Sequence, residues 1–228
     1  MRGDIFGSVK AVFFDLDNTL ISRDLSFREI LPLWFAAYVP DLPETDYGVQ
    51  ITQIMLRDQG GFADRDEFGS WVHRRYSLKT ISEKQVISDF AASIAGNIKR
   101  NEEVIDFVQS LRERYTIGVI SNGSGRTQRT KLSNAGLESA FDADKIYIEG
   151  ERGIAKPDLA MFLLPCQQHH ISPGETLFIG DHPVDDIRGA SNAGMKTCWI
   201  RRGESRSDLA CSPDVTINSI EELFHLAV

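Results

Sequence analysis

The sequence predicts an α/β protein, a doubly wound parallel sheet interrupted early in the chain by an all-helical segment. Three observations predict it. Short apolar runs at Val12–Phe14, Thr116–Ile120 and Thr176–Ile179 each end abruptly in polar residues, as strands buried on both faces do. From residue 101 onward helical and strand patterns alternate, which implies parallel strands with helices on both faces. Between residues 22 and 99 the strand pattern stops and helical periodicity replaces it.

Taken in order, Val12-Phe13-Phe14 is the first strand and runs into Asp15-Leu16-Asp17-Asn18-Thr19-Leu20. Helical patterns follow over roughly residues 24–39, 45–58, 64–78 and 82–97. They are separated by Pro40-Asp41-Leu42-Pro43 and Gly60-Gly61, with Ser82 suited to cap the last of them. A helix over 102–114 leads to the strand Thr116–Ile120, which ends in Ser121-Asn122-Gly123. Lys156-Pro157 precedes a helix over about 158–170, and Pro157 suits a first helical turn, where its missing N–H costs nothing. That would set Lys156 just outside a helix start, a place favourable to anions. The strand Thr176–Ile179 ends in Gly180-Asp181-His182-Pro183-Val184-Asp185-Asp186, and further strands fit 145–148, 196–200 and 215–217.

At 228 residues the chain suits one core plus a sizeable insertion. Its 33 acidic against 25 basic residues, net −8, exclude a general binder of nucleic acid or membrane surface, which needs basic patches. The expected partner is a small molecule. Cys166, Cys198 and Cys211 are odd in number and widely spaced, so buried free thiols are expected rather than disulfides or a Cys-x-x-Cys metal site. No run approaches the ~18 apolar residues of a membrane span, and Met1–Phe6 lacks the apolar stretch of a signal peptide, so a cytoplasmic protein is expected.

Asp15 and Asp17 stand two apart at a strand tip, where alternate residues share a face roughly 6.5 Å apart. Alone, the hexapeptide fits a plain turn as well as a site, because Asp and Asn side chains bond nearby backbone. A calcium loop is discarded: its sixth and twelfth positions require Gly and Glu, and here they are Leu20 and Ser26. What favours a site is convergence. Asp15, Asp17, Thr19, Ser121, Asn122, Lys156, Asp181, Asp185 and Asp186 all fall at strand ends or in the loops beyond them, where open parallel sheets bind ligands.

Asp15-x-Asp17-x-Thr19, Ser121-Asn122-Gly123, Lys156-Pro157 and Gly180-Asp181-x-x-x-x-Asp186, in that order, resemble the four motifs of the haloacid dehalogenase-like superfamily. The resemblance covers roughly residues 9–21 and 101–228. It implies a Rossmann-like catalytic core of residues 1–21 and 100–228, with residues 22–99 as a helical cap hinged near 22–25 and 97–101. It further implies an Mg²⁺-dependent phosphatase acting through an aspartyl phosphate.

Asp15 is then the nucleophile and Asp17 the general acid and base. Lys156 offsets the charge on phosphate and Asp15. Thr19, Ser121 and the Asn122 backbone grip phosphoryl oxygens. The Asp15 carboxylate, the Asp17 carbonyl and Asp181 hold the metal, with Asp186, and less firmly Asp185, behind them. His182 is expected to pack within its loop, and His169-His170 to close a helix favourably for its dipole.

An acid at position 17 argues against the dehalogenase branch, because a halide leaving group needs no proton. It argues equally against phosphonate hydrolases, which carry a small residue there. A phosphomutase with the same chemistry, or a non-catalytic phosphate-binding regulator, are the alternatives. Residues 22–99 hold ten of the 21 aromatics, most of which a small helical layer needs for its own core. Phe62, Trp71 and Arg74 are the substrate-selecting candidates, although charge at His73-Arg74-Arg75 commonly means a solvated helix face. An aromatic cap suits a flat group such as a flavin mononucleotide or other nucleotide, with sugar phosphates as further candidates.

Overall fold

The computed structural model describes residues 5–202 and 212–224, so Cys211 lies outside the described residues. The chain divides into two compact units, one of Met1–Ile21 with Arg100–Val228 and one of Ser22–Lys99.

The first unit is built on a sheet of six parallel strands among the described residues: β1 (Ala11–Phe14), β2 (Thr116–Ser121), β3 (Ile146–Ile148), β4 (Thr176–Gly180), β5 (Lys196–Ile200) and β6 (Val215–Ile217). Their spatial order is β3-β2-β1-β4-β5-β6. The chain therefore winds outward from β1 on one side and then on the other. β1 is the point of reversal, where open α/β sheets place their ligand crevice. Register brings three strand ends level: Phe14 pairs with both Val119 and Ile179, so Asp15, Ser121 and Asp181 emerge at the same edge. The core follows from full burial of β1 and β4, with Phe13 edge-on to Tyr147 and Phe162 edge-on to Phe178. Edge-on rings place positive edges against negative faces.

The helical unit contains α1 (Arg23–Tyr38), α2 (Tyr47–Asp58), α3 (Arg65–Arg75) and α4 (Glu83–Asn97). Ser82 caps α4 in a full capping box, its side chain accepting from Gln85 N while Gln85 reaches back to Ser82 N. Phe27 and Trp34 of α1 and Phe68 of α3 surround Phe90 of α4, the first two with ring centroids 4.9 Å from it. Beneath the Gly60-Gly61 turn, fully buried Asp58 accepts from Arg23 Nη1 at 2.7 Å and Arg65 Nη1 at 2.8 Å. One carboxylate thus ties the starts of α1 and α3 to the end of α2.

The remaining helices belong to the sheet unit: α5 (Glu102–Arg112), α6 (Gly125–Asn134), α7 (Glu149–Arg152), α8 (Leu159–Gln168) and α9 (Gly189–Asn192). One sequence expectation is corrected here. Pro157 does not sit in a first helical turn: α8 starts at Leu159, because the Asp158 side chain accepts from Ala160 N and caps it, while the Lys156–Pro157 peptide is cis. Lys156 still lies just outside the start of α8, and its own side-chain and backbone bonds hold it there. Cys166 and Cys198 are buried and form no disulfide among the described residues. No helix among the described residues is long and apolar enough to cross a membrane.

Candidate active site

Asp15 begins where β1 ends, and its N–H still donates to Ile179 O across the sheet at 2.9 Å. The next residues turn sharply, Asn18 adopting a left-handed φ of 60° that Asn tolerates well. That turn buries Thr19, whose Oγ1 has no hydrogen-bond partner. A buried hydroxyl without a partner is costly unless something else supplies one.

Across the sheet end, Lys156 Nζ donates to Asp15 Oδ1 and to Asp186 Oδ1, each at 2.7 Å. All three side chains are almost wholly buried. Asn122 fixes the backbone beneath this lysine with two bonds: its Nδ2 donates to Lys156 O at 2.9 Å, and Lys156 N donates to its Oδ1 at 2.8 Å. The Asn122 side chain thus orients Lys156, and only its backbone stays available for the gripping role expected of it.

Beyond β4, residues Pro183–Arg188 form a single π-helical turn, a distortion frequent at functional sites. It directs Asp186 inward, where Oδ2 accepts from His182 N at 2.9 Å, and leaves Asp185 half-buried beside His182. His182 Nδ1 accepts from Asp185 N at 2.9 Å, so the imidazole is used in its own loop. Gly180 makes this approach feasible, because a Cβ there would lie 2.5 Å from the Asp186 carboxyl. Asp181 is held by its backbone, its carbonyl accepting from Trp199 Nε1 at 2.8 Å, while its buried Oδ1 has no hydrogen-bond partner.

Three acids therefore crowd one ammonium. One carboxylate oxygen from each of Asp15, Asp181 and Asp186 lies within 4.8 Å of the others. Burial, with Asp186 and Asp17 adding repulsion, outweighs Lys156 and raises the Asp15 pKa to about 7. Burial next to Asp15 and Asp186 also pushes Asp181 well above the ordinary carboxyl range, and burial raises Asp185. Burial pulls Lys156 down, but Asp15 and Asp186 overcome it and hold its pKa above the usual lysine range. An all-oxygen cluster of excess negative charge, with a buried oxygen lacking a partner, fits a hard divalent cation.

The second motif aspartate is held from another direction. Both Asp17 oxygens accept from Lys131 Nζ, at 2.8 and 2.7 Å, and Oδ2 also accepts from Gln128 Nε2 at 2.9 Å. The same Gln128 nitrogen donates to Ser121 Oγ at 2.7 Å. Gln128 and Lys131 lie on α6, which starts beside Ser121-Asn122-Gly123 and is capped by Ser124, whose side chain accepts from Thr127 N.

A family model for haloacid dehalogenase-like hydrolases matches residues 9–194, spanning all four motifs. The chain belongs to this family. Among relatives of the hydrolase, the phosphoserine phosphatase of Thermus thermophilus is 34% identical over 116 residues, covering 51% of this chain and 46% of that protein. The pyrimidine 5'-nucleotidase YjjG of Escherichia coli is 26% identical over 223 residues, covering 94% of this chain and 96% of YjjG. Among solved structures, YfnB from Bacillus subtilis, bound to magnesium, superposes with a TM-score of 0.76 at 21% identity over 96% of this chain and 98% of that one. That likeness shows the shared α/β fold.

The structure brings together Asp15, Asp17, Thr19, Ser121, Asn122, Lys156, Asp181 and Asp186 at one sheet edge, all within the sheet unit. Phe62, Trp71 and Arg74 belong to the helical unit. There Phe62 is 40% exposed, Trp71 stacks on Phe68 and Arg74 is exposed. Sequence reasoning missed Gln128 and Lys131. The available signal was their i, i+3 spacing on a helix starting just after the Ser121-Asn122-Gly123 tip, which puts both on one face.

Proposed function

We propose that this hydrolase is a phosphatase that cleaves small phosphomonoesters through an aspartyl phosphate on Asp15, with Mg²⁺ as its metal. The observation that carries this reading is the Asp15 carboxylate at the tip of β1, bonded to Lys156 and next to the unpartnered Asp181 oxygen. The named activities of relatives, on phosphoserine and on pyrimidine 5'-nucleotides, point the same way. So does magnesium in YfnB.

Phosphomonoester hydrolysis is among the slowest uncatalysed reactions and asks about 20 kcal/mol of an enzyme, so several groups must act together. Asp15 attacks phosphorus and the ester oxygen departs, taking a proton from Asp17. Asp17 then removes a proton from a water that attacks the same phosphorus, and the P–O bond to Asp15 breaks to free inorganic phosphate. Lys156 offsets the negative charge of the phosphoryl group, and Thr19 and Ser121 donate to its oxygens where charge develops. Asp15, Asp181 and the Asp17 carbonyl would hold Mg²⁺, with Asp186 and, less directly, Asp185 supporting them. The ion supplies Lewis-acid stabilisation of phosphoryl charge.

The helical unit of residues 22–99 is, in this reading, the cap that selects the substrate, with Phe62, Trp71 and Arg74 as its contacts. The test is phosphate release from a panel of nucleoside monophosphates, flavin mononucleotide, phosphoserine and sugar phosphates, with Mg²⁺ and with chelator. Metal-dependent release from any of them supports the reading. A pure, metal-supplied protein inert to the whole panel overturns it.

A further inference from the structure

We propose that Gln128 and Lys131 are positioning residues of this reaction: together they fix how Asp17 presents its carboxylate and how Ser121 presents its hydroxyl hydrogen. The inference rests on the phosphatase reading and adds to it two side chains outside all four motifs.

Burial is the first argument. Gln128 is 1% exposed and Lys131 5%, although glutamine and lysine are ordinarily surface residues. Placing them inward on α6 costs desolvation, which only specific bonds offset. Those bonds all go to two side chains at the sheet edge, Asp17 and Ser121.

The second argument is directional. A hydroxyl has one hydrogen to donate and accepts through its lone pairs. Because Ser121 Oγ accepts from Gln128 at 2.7 Å, its own hydrogen must point elsewhere. Its intramolecular acceptor is Asn122 O at 3.3 Å, a long bond that a charged phosphoryl oxygen readily displaces. Gln128 therefore sets Ser121 as a donor. Lys131 contacts both oxygens of Asp17 almost symmetrically, so the carboxylate is fixed in rotation as well as in place. The shared Gln128 nitrogen makes the two settings interdependent.

This arrangement separates the two residues experimentally. Asp17 acts on the leaving oxygen, whereas Ser121 acts on the phosphoryl group common to every substrate. An alkoxide needs a proton as it leaves, and p-nitrophenolate hardly does. In Lys131→Met, kcat/KM for an alkyl phosphate should fall about 30-fold further than kcat/KM for p-nitrophenyl phosphate. In Gln128→Met both should fall, by about tenfold for p-nitrophenyl phosphate through Ser121 and further for the alkyl phosphate, because Gln128 also bonds Asp17. Lys131→Arg, which keeps a cation, should recover part of the alkyl-phosphate loss, and thermal melting of each variant controls for folding. Should Lys131→Met fail to fold, Lys131→Gln gives the same comparison. Equal losses on the two esters in the Lys131 variants, or none, overturn the proposal. Wild-type protein that turns over neither ester with Mg²⁺ instead overturns the phosphatase reading beneath it.

Discussion

Lys156 Nζ lies 2.7 Å from Asp15 Oδ1 in a site where both side chains are almost wholly buried, and the same ammonium reaches Asp186 at 2.7 Å. Removing the cation strands two buried carboxylates, a change that typically costs 3–5 kcal/mol, the range for breaking a buried pair. Lys156→Met should therefore lower stability by about 3 kcal/mol or more in urea unfolding at pH 7 and reduce phosphate release at least about 100-fold. A variant as stable as wild type would show that the ammonium does not offset the acidic cluster.

Asp15→Asn isolates the nucleophile. An amide cannot attack phosphorus, yet it fits the same space and removes one of the crowded charges. Turnover should fall by at least about three orders of magnitude while the metal-free protein melts no lower than wild type at pH 8. Substantial residual activity in this variant, free of wild-type contamination, would rule out Asp15 as the attacking group.

The pH dependence of stability follows from the raised Asp15 pKa. With about 7 in the folded protein against 3.8 ordinarily, the folded state holds a proton that the unfolded chain has released between those values. The contribution of this group is fully present below pH 3.8 and is lost as pH rises through 7. Asp181 shifts in the same direction and adds to the loss. Metal-free protein should therefore melt at lower temperature at pH 8 than at pH 5. Mg²⁺, which competes with those protons, should raise the melting temperature more at pH 8 than at pH 5. A stabilisation by Mg²⁺ equal at both values would dissociate the ion from these carboxylates.

The sheet and its edge were legible because parallel strands buried on both faces must be apolar throughout, so each polar residue past Phe14, Ile120 or Ile179 marks a strand end. Family membership was legible from the order of Asp15, Ser121, Lys156 and Asp181. The roles of Gln128 and Lys131 were not, because neither adjoins a strand tip and a polar residue on a helix ordinarily means a solvated face. Asp158 was likewise obscured by Pro157, whose preference for a first helical turn is local, while the capping bond to Ala160 N decides where α8 starts. The π-helical turn at Pro183–Arg188 leaves no periodic signal in so few residues, yet it is what separates inward Asp186 from half-buried Asp185.

The helical unit offers a test independent of the chemistry. Asp58 has no exposed side-chain surface and joins Arg23, itself 8% exposed, to Arg65, which is 37% exposed. The two pairs should differ in worth, since solvent screens Arg65 and leaves Arg23 dependent on Asp58. Asp58→Ala should destabilise the helical unit by about 3 kcal/mol, because it removes the fully buried carboxylate that the Arg23 guanidinium, packed beside Gly61, reaches at 2.7 Å. Arg65→Ala should cost about 1 kcal/mol or less. Trp34 and Trp71 both lie in this unit, so urea unfolding followed by tryptophan fluorescence reads it, with Trp199 of β5 as the third reporter. Equal effects of the Asp58 and Arg65 variants would mean that the screened pair carries the cluster, contrary to its exposure.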